Sequence, residues 1–256
     1  MIPLRDSIPS RTTPVVNYAI IVLCTLAFFW QGASGRQDGR IVEQFGMVPA
    51  RLSNPGAELK ITEQVPVQTR FGVQIETVTR TMAEPVIPAW MTILTCMFLH
   101  GGWMHFLGNM WFLYIFGDNV EDRLGHLGYA TLYLGTGIAA GLAHYVTERY
   151  SPIPTIGASG AIAGVMGAYA YLYPHAKVIA VIPLFVILQT IIVPAPVFLG
   201  LWFLLQAFSG VSAIAGGVAG GVAWWAHIGG FVAGAVVAVV LGRSPQGHEA
   251  VTERRF

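Results

Sequence analysis

The tetrapeptide Gly157-Ala158-Ser159-Gly160 puts a serine where Pro152 and Pro154 give way to an apolar stretch rich in small residues. A serine in the first turn of a helix lies beside free backbone N–H groups, which can receive negative charge developing on a substrate carbonyl. The pattern is not the G-x-S-x-G elbow of soluble hydrolases, because Ala161 stands at its last glycine. Taken alone, it reads equally as a serine capping a membrane helix. His227 supplies what a serine nucleophile needs. It lies in the apolar stretch from Val218 to Leu241, and Gly230 and Gly234 follow on the same helical face. Ionisable groups inside a membrane are rare and usually functional, although a histidine bonded to a neighbouring helix carbonyl would fit the same pattern. Gly160, Gly164 and Gly167 form a matching face on the apolar stretch from Ala158 to Tyr173, and small faces let two helices approach closely. Such packing brings Ser159 within reach of His227, whose imidazole would take the serine proton and return it to a leaving amine.

His105 and Asn109 stand four apart on one helical face and could donate hydrogen bonds to a tetrahedral intermediate. A polar pair bonding between helices is the alternative reading. His100, beside Gly101 and Gly102, is expected to brace a loop, and His144 to be interfacial. Asp118, Glu121 and Asp122 cluster at one end of an apolar stretch, and no Asp or Glu lies within one. A Ser-His dyad is therefore expected, without a carboxylate third member. Trp202, Trp224 and Trp225 are read as packing and interface anchors. Cys24 and Cys96 show no metal or redox spacing.

The elements that must hold these residues are membrane helices. Of 256 residues, 54% are hydrophobic and 11% charged, with mean hydropathy +0.61, against about 25% charged in soluble domains. Apolar stretches run from Val15 to Trp30, Trp90 to Phe116, Leu127 to Val146, Ala158 to Tyr173, Val178 to Phe208 and Val218 to Leu241, and a helix needs about 20 residues to cross a bilayer. The first is expected to be a retained anchor, since no cleavage site follows it. His100-Gly101-Gly102 divides the second into an interfacial segment and a span, each glycine weakening a helix by about 1 kcal/mol. Pro183, Pro194 and Pro196 divide the fifth, so a span is expected from about Pro194 and a surface connection over Val178 to Ile192.

Six spans follow, in an all-α polytopic bundle. Arg5, Arg11, Arg123, Lys177, Arg243, Arg254 and Arg255 fall on one side, against Arg149 in the third loop and none in the fifth; the first loop adds Arg36, Arg40, Arg51, Lys60, Arg70 and Arg80, but long loops translocate with less regard to charge. Both termini are thus expected in the cytoplasm. The organisation is a tail over 1–14, a membrane domain over 15–241 with a long first loop at about 31–89, and a tail over 242–256. In that loop Val65, Val67, Val73 and Ile75 alternate with polar residues, which predicts a β-hairpin near Gly72. A net charge of +1 argues against nucleic acid as a partner. Counted along its stretch, His227 lies about 13 Å deep, while Ala158 to Tyr173 covers about 24 Å of a roughly 30 Å core, so Ser159 can start below the surface at a similar depth.

Trp90, His100-Gly101-Gly102-Trp103-Met104-His105 with Asn109, Glu121-Asp122 with Gly125, Gly157-Ala158-Ser159-Gly160, and Ala226-His227 with Gly230 and Gly234 together resemble the rhomboid intramembrane serine proteases. The resemblance runs from about Trp90 to Leu241. It implies a six-helix core, Ser159 as nucleophile, His227 as base, and an oxyanion site of His105, Asn109 and the Ser159 N–H, with no cofactor or metal. It also implies that the substrates are single-span membrane proteins whose helices unwind locally, because a helical peptide bond must extend before attack. The fifth helix and the Ser209 to Gly221 loop resemble the family's gate and cap. Two positions depart from the family's pattern: Met91 follows Trp90 where many members have arginine, and Ala163 stands where many have an aromatic residue against the histidine. The competing readings are a catalytically inactive rhomboid-like binding or quality-control protein, a metalloenzyme using the histidines, and a transporter. The retained Ser159, His227 and Asn109 weigh against the first. The lack of an H-E-x-x-H motif weighs against the second, and the lack of paired membrane charges and inverted repeats against the third. A bacterial inner membrane is the expected location.

Overall fold

A computed structural model describes residues 1–33, 38–70, 72–184, 187–216 and 222–241. Five helices carry the apolar stretches: α1 (Val15–Ala33), α5 (Trp103–Glu148), α6 (Ser159–Leu172), α7 (Ala195–Gly216) and α8 (Trp224–Leu241). Three short helices, α2 (Asp38–Phe45), α3 (Pro49–Ser53) and α4 (Thr92–Thr95), lie between α1 and α5. Among the described residues Val15–Ala33, Ala195–Ser212 and Trp224–Leu241 are helices long and apolar enough to cross a bilayer. They turn Leu26, Phe208 and Val240 outward, exposed. Lipid covers such apolar faces.

The α5 helix is two segments. Gly125 leaves the helical region with φ 71° and ψ 168°, a conformation open to glycine and costly for other residues. The Tyr129 hydroxyl lies against Gly117, whereas a straight helix would hold these residues about 18 Å apart. The chain therefore folds back at Gly125, and one glycine makes the whole turn between the second and third apolar stretches. Asn17 of α1 ties the two segments together, donating to the Leu113 carbonyl at 3.1 Å and accepting from the Tyr129 hydroxyl at 2.7 Å. Glu121 caps the start of α1, accepting from the N–H groups of Val16 and Asn17 at 2.9 and 2.7 Å. These donors have no partner within the helix.

The core centres on α6, buried from Gly160 to Tyr169. A Cβ added to Gly230 would collide with the Gly160 carbonyl, one on Gly234 with the Gly164 carbonyl, and one on Gly167 with the Phe231 carbonyl. The glycine faces of α6 and α8 thus meet backbone to backbone, as their spacing implies.

The all-α expectation needs amendment, since among the described residues five strands join the helices. β2 (Lys60–Thr69) and β3 (Gly72–Thr81) form the hairpin anticipated near Gly72. β4 (Lys177–Leu184) and β5 (Ile187–Pro194) occupy the stretch expected to be a plain surface connection, and β1 (Ile2–Asp6) pairs with β4 in the order β1-β4-β5. The β-branched residues of Val178 to Ile182 and Ile191 to Val193 suit a pleated surface better than a helix. The Trp111 indole donates to the Pro3 carbonyl at 2.6 Å, which holds β1 against α5. Two boundaries also move. The α7 helix starts after Pro194 as expected but runs to Gly216, so Ser209 to Gly216 is helix, not loop. The α8 helix starts only at Trp224. Residues 217–221 and the tail at 242–256 lie outside the described residues.

Candidate active site

Ser159 is the first residue of α6, and His227 is in the first turn of α8. The depth count from Val218 is therefore corrected: His227 is level with Ser159 because both stand at helix starts. The Ser159 hydroxyl and His227 Nε2 are 2.8 Å apart, a distance at which a proton can pass between them. The approach of Ser159 is shaped by Gly157, at φ 125°. A side chain there would be strained, and its Cβ would also run into His105 Nε2. The Gly157 N–H donates to the Cys96 carbonyl at 2.9 Å, while Met47 and Thr155 exchange backbone hydrogen bonds at 3.0 and 2.8 Å. The irregular backbone before Ser159 is thus paired to the segments around Met47 and Cys96.

Both residues open onto a cavity of about 700 Å³, lined also by His105, Asn109, Met166 and Trp202. The His105 ring accepts at Nδ1 from the Gly101 N–H at 3.3 Å, which leaves Nε2 as its protonated edge. Asn109 Nδ2 is buried and makes no hydrogen bond among the described residues. A buried amide donor is costly to leave unpaired, so it stands ready for an acceptor entering the cavity. His100 lies beside His105 and is tied to α1. Its backbone N–H and carbonyl both bond the Gln31 side chain of α1, at 3.0 and 3.2 Å, and its ring packs edge-on against His105 at 5.3 Å. Burial pushes the His100 imidazole down to about 4, with His105 adding to the shift, so the ring is neutral at pH 7.

Several features were not anticipated. Gln206 of α7 bonds His227 Nδ1 at 2.7 Å. Its signal in the sequence was an isolated amide in an apolar stretch. Trp202 and Trp224, read as anchors, flank the imidazole at 5.8 and 6.3 Å. His144 lines the same cavity, and its Nδ1 is without a partner among the described residues. Arg51 ties together segments of the chain between α1 and α5. Buried, it donates to the Glu43 and Ala83 carbonyls, and Glu43 pairs with Arg80 at 2.6 Å and accepts from the Ala83 N–H at 2.7 Å.

The family model described as the Rhomboid domain matches residues 88–244. The chain is 40% identical over 77 residues to Rhomboid-like protein 11, chloroplastic, of Arabidopsis thaliana, covering 30% of this chain and 27% of that protein. It is 39% identical over 83 residues to Rhomboid protease GluP of Bacillus subtilis (32% and 16%). It is 31% identical over 102 residues to Rhomboid protein 1, mitochondrial, of Saccharomyces cerevisiae (38% and 30%). The matched segments thus span less than a third of each of these relatives. Since the domain match takes in the Ser159 and His227 helices and more than half of the chain, this membrane protein belongs to the rhomboid family.

Proposed function

We propose that this chain is an intramembrane serine endopeptidase that hydrolyses peptide bonds in or near transmembrane segments of membrane-protein substrates. The observation that carries the reading is the 2.8 Å contact between Ser159 Oγ and His227 Nε2 at the edge of a large cavity. Ser159 attacks the scissile carbonyl while His227 takes its proton. Asn109 Nδ2, His105 and the Ser159 N–H receive the oxyanion, which the empty valence of Asn109 favours. Collapse of the intermediate breaks the C–N bond, and His227 protonates the departing amine. His227 then deprotonates a water that hydrolyses the acyl-enzyme. No cofactor is required by these steps.

The architecture proposed is six spans: α1, the segments 103–124 and 126–148, α6, α7 and α8, with a long first loop between α1 and α5 and both termini cytoplasmic. At about 21 Å, α6 is shorter than a roughly 30 Å hydrocarbon core, so Ser159 begins within the membrane. Non-helical backbone at that depth requires protein partners or a wet cavity. Residues 151–158 have such partners, through the pairing of Thr155 with Met47 and of Gly157 with Cys96. The substrates are single-span proteins whose helix can extend into the cavity. Relatives named for the chloroplast and the mitochondrion, and one from Bacillus, share the domain. The bacterial inner membrane is proposed here, and membrane fractionation tests it. The function is tested with purified protein and a reporter carrying one transmembrane helix. Wild type cleaves, and Ser159→Ala and His227→Ala, though folded, do not. Cleavage retained by purified Ser159→Ala overturns the reading.

A further inference from the structure

We propose that Gln206 is a positioning residue for the dyad, and that its amide carbonyl fixes the tautomer in which His227 can act as a base. The inference rests on the Ser159–His227 reading and deepens it. Gln206 Oε1 and His227 Nδ1 are 2.7 Å apart, and His227 Nε2 and Ser159 Oγ are 2.8 Å apart. The imidazole therefore bridges two side chains, one through each nitrogen. A neutral imidazole has one N–H and one lone pair, so the partner at Nδ1 decides what Nε2 can do. When the Gln206 carbonyl accepts from Nδ1–H, Nε2 carries the lone pair and accepts the Ser159 proton. In the reverse tautomer Nε2 would donate to Ser159 and could not deprotonate it. A serine protease triad assigns this duty to a carboxylate. Here a neutral amide performs it, without burying a charge in apolar surroundings.

Gln206 is held for this task by its own helix. On α7, Trp202 and Gln206 stand one turn apart on the face that meets α8, where Trp202 lies over His227 and Phe203 stacks near Phe231 at 4.9 Å. Leu204, Leu205 and Phe208 point away, exposed. The Nδ1 contact of the imidazole thus comes from a different helix than the serine, and it depends on the seating of α7 against α8.

The test reads the tautomer directly. In wild type labelled with ¹⁵N-histidine and purified in detergent, His227, assigned by comparison with His227→Ala, is expected to show a protonated Nδ1 and an unprotonated Nε2. A wild-type spectrum with Nε2 protonated overturns the proposal, whatever the variants do. In Gln206→Leu the Nδ1–H preference is lost. The kcat for the reporter falls about tenfold or more, while KM changes less than about twofold, as expected when an interaction made in the transition state is removed. Gln206→Glu restores an acceptor, and with it the Nδ1–H form and most of the rate. Full activity and an unchanged spectrum in Gln206→Leu refute the role of Gln206. If Ser159→Ala still cleaves, the dyad reading itself has failed, which separates the two claims.

Discussion

Replacing Gly234 or Gly230 with alanine should disable the site from outside it. Each glycine faces a backbone carbonyl of α6, Gly164 and Gly160 respectively, so closely that a Cβ would collide with it. A methyl group needs roughly 3.5 Å to its neighbour, so α8 must withdraw from α6 by on the order of 1 Å. The 2.8 Å hydrogen bond between Ser159 and His227 spans this same interface, and the withdrawal stretches it beyond the roughly 3.2 Å limit for proton transfer. A misplacement of about 1 Å can cost about a hundredfold in rate, or about 2.7 kcal/mol of barrier. Overpacking should lower stability by about 1–3 kcal/mol as well. The assays are reporter cleavage by purified variants and thermal unfolding in the same detergent. Gly135→Ala and Gly200→Ala are the controls. Nothing lies within 4 Å of a Cβ at either position, so both should keep full activity, with stability equal or higher by up to about 1 kcal/mol. Wild-type turnover and unchanged unfolding in Gly234→Ala would refute the claim that the glycine contact sets the dyad distance.

Three further outcomes follow from the same structure. Asn109→Ala removes the unpaired cavity donor and should lower kcat by about 10²–10³; single-turnover kinetics measure this, and an unchanged rate would return Asn109 to a packing role. Arg51→Leu strips the Glu43 and Ala83 carbonyls of their donor and should cost about 1–3 kcal/mol for each group left buried and unpaired, seen as faster proteolysis of the region between α1 and α5. Burial raises the Asp6 carboxyl from 3.8 to about 6, against the lowering pull of the Tyr169 hydroxyl. The folded strand β1 therefore binds more protons than the undocked one between these values, so its docking is firmest below about pH 4 and weakens as pH rises through about 6. Hydrogen exchange of the β1 amides should follow that trend in wild type and be flat in Asp6→Asn.

The parts of this site legible in the sequence are those written in local spacing. Gly230 and Gly234 after His227, and Gly160, Gly164 and Gly167 after Ser159, announce a close helix pair because the helical repeat alone puts them on one face. The β2–β3 hairpin was likewise readable from alternation around Gly72. What escaped depends on distant partners or on apolar runs without a period. β1 is five residues whose ladder lies on β4, more than 170 positions away, and no local signal encodes that pairing. The β4 strand is apolar after Lys177 and β5 is interrupted only by Gln189 and Thr190, and periodicity cannot separate such short apolar runs from a buried helix. The late start of α8 at Trp224 was hidden because the apolar run reads without a break from Val222 into the helix. Gln206 illustrates the remaining limit. The apolar stretches hold no carboxylate to partner His227, and the position is filled by an amide that its apolar surroundings do not mark as a partner.

The most direct test of the account is the intact mass of the purified protein after exposure to a fluorophosphonate. The account predicts one covalent adduct, mapped by peptide analysis to Ser159, formed quickly in wild type and absent from Ser159→Ala and His227→Ala. An adduct on another residue, or equal labelling of Ser159→Ala, would contradict it.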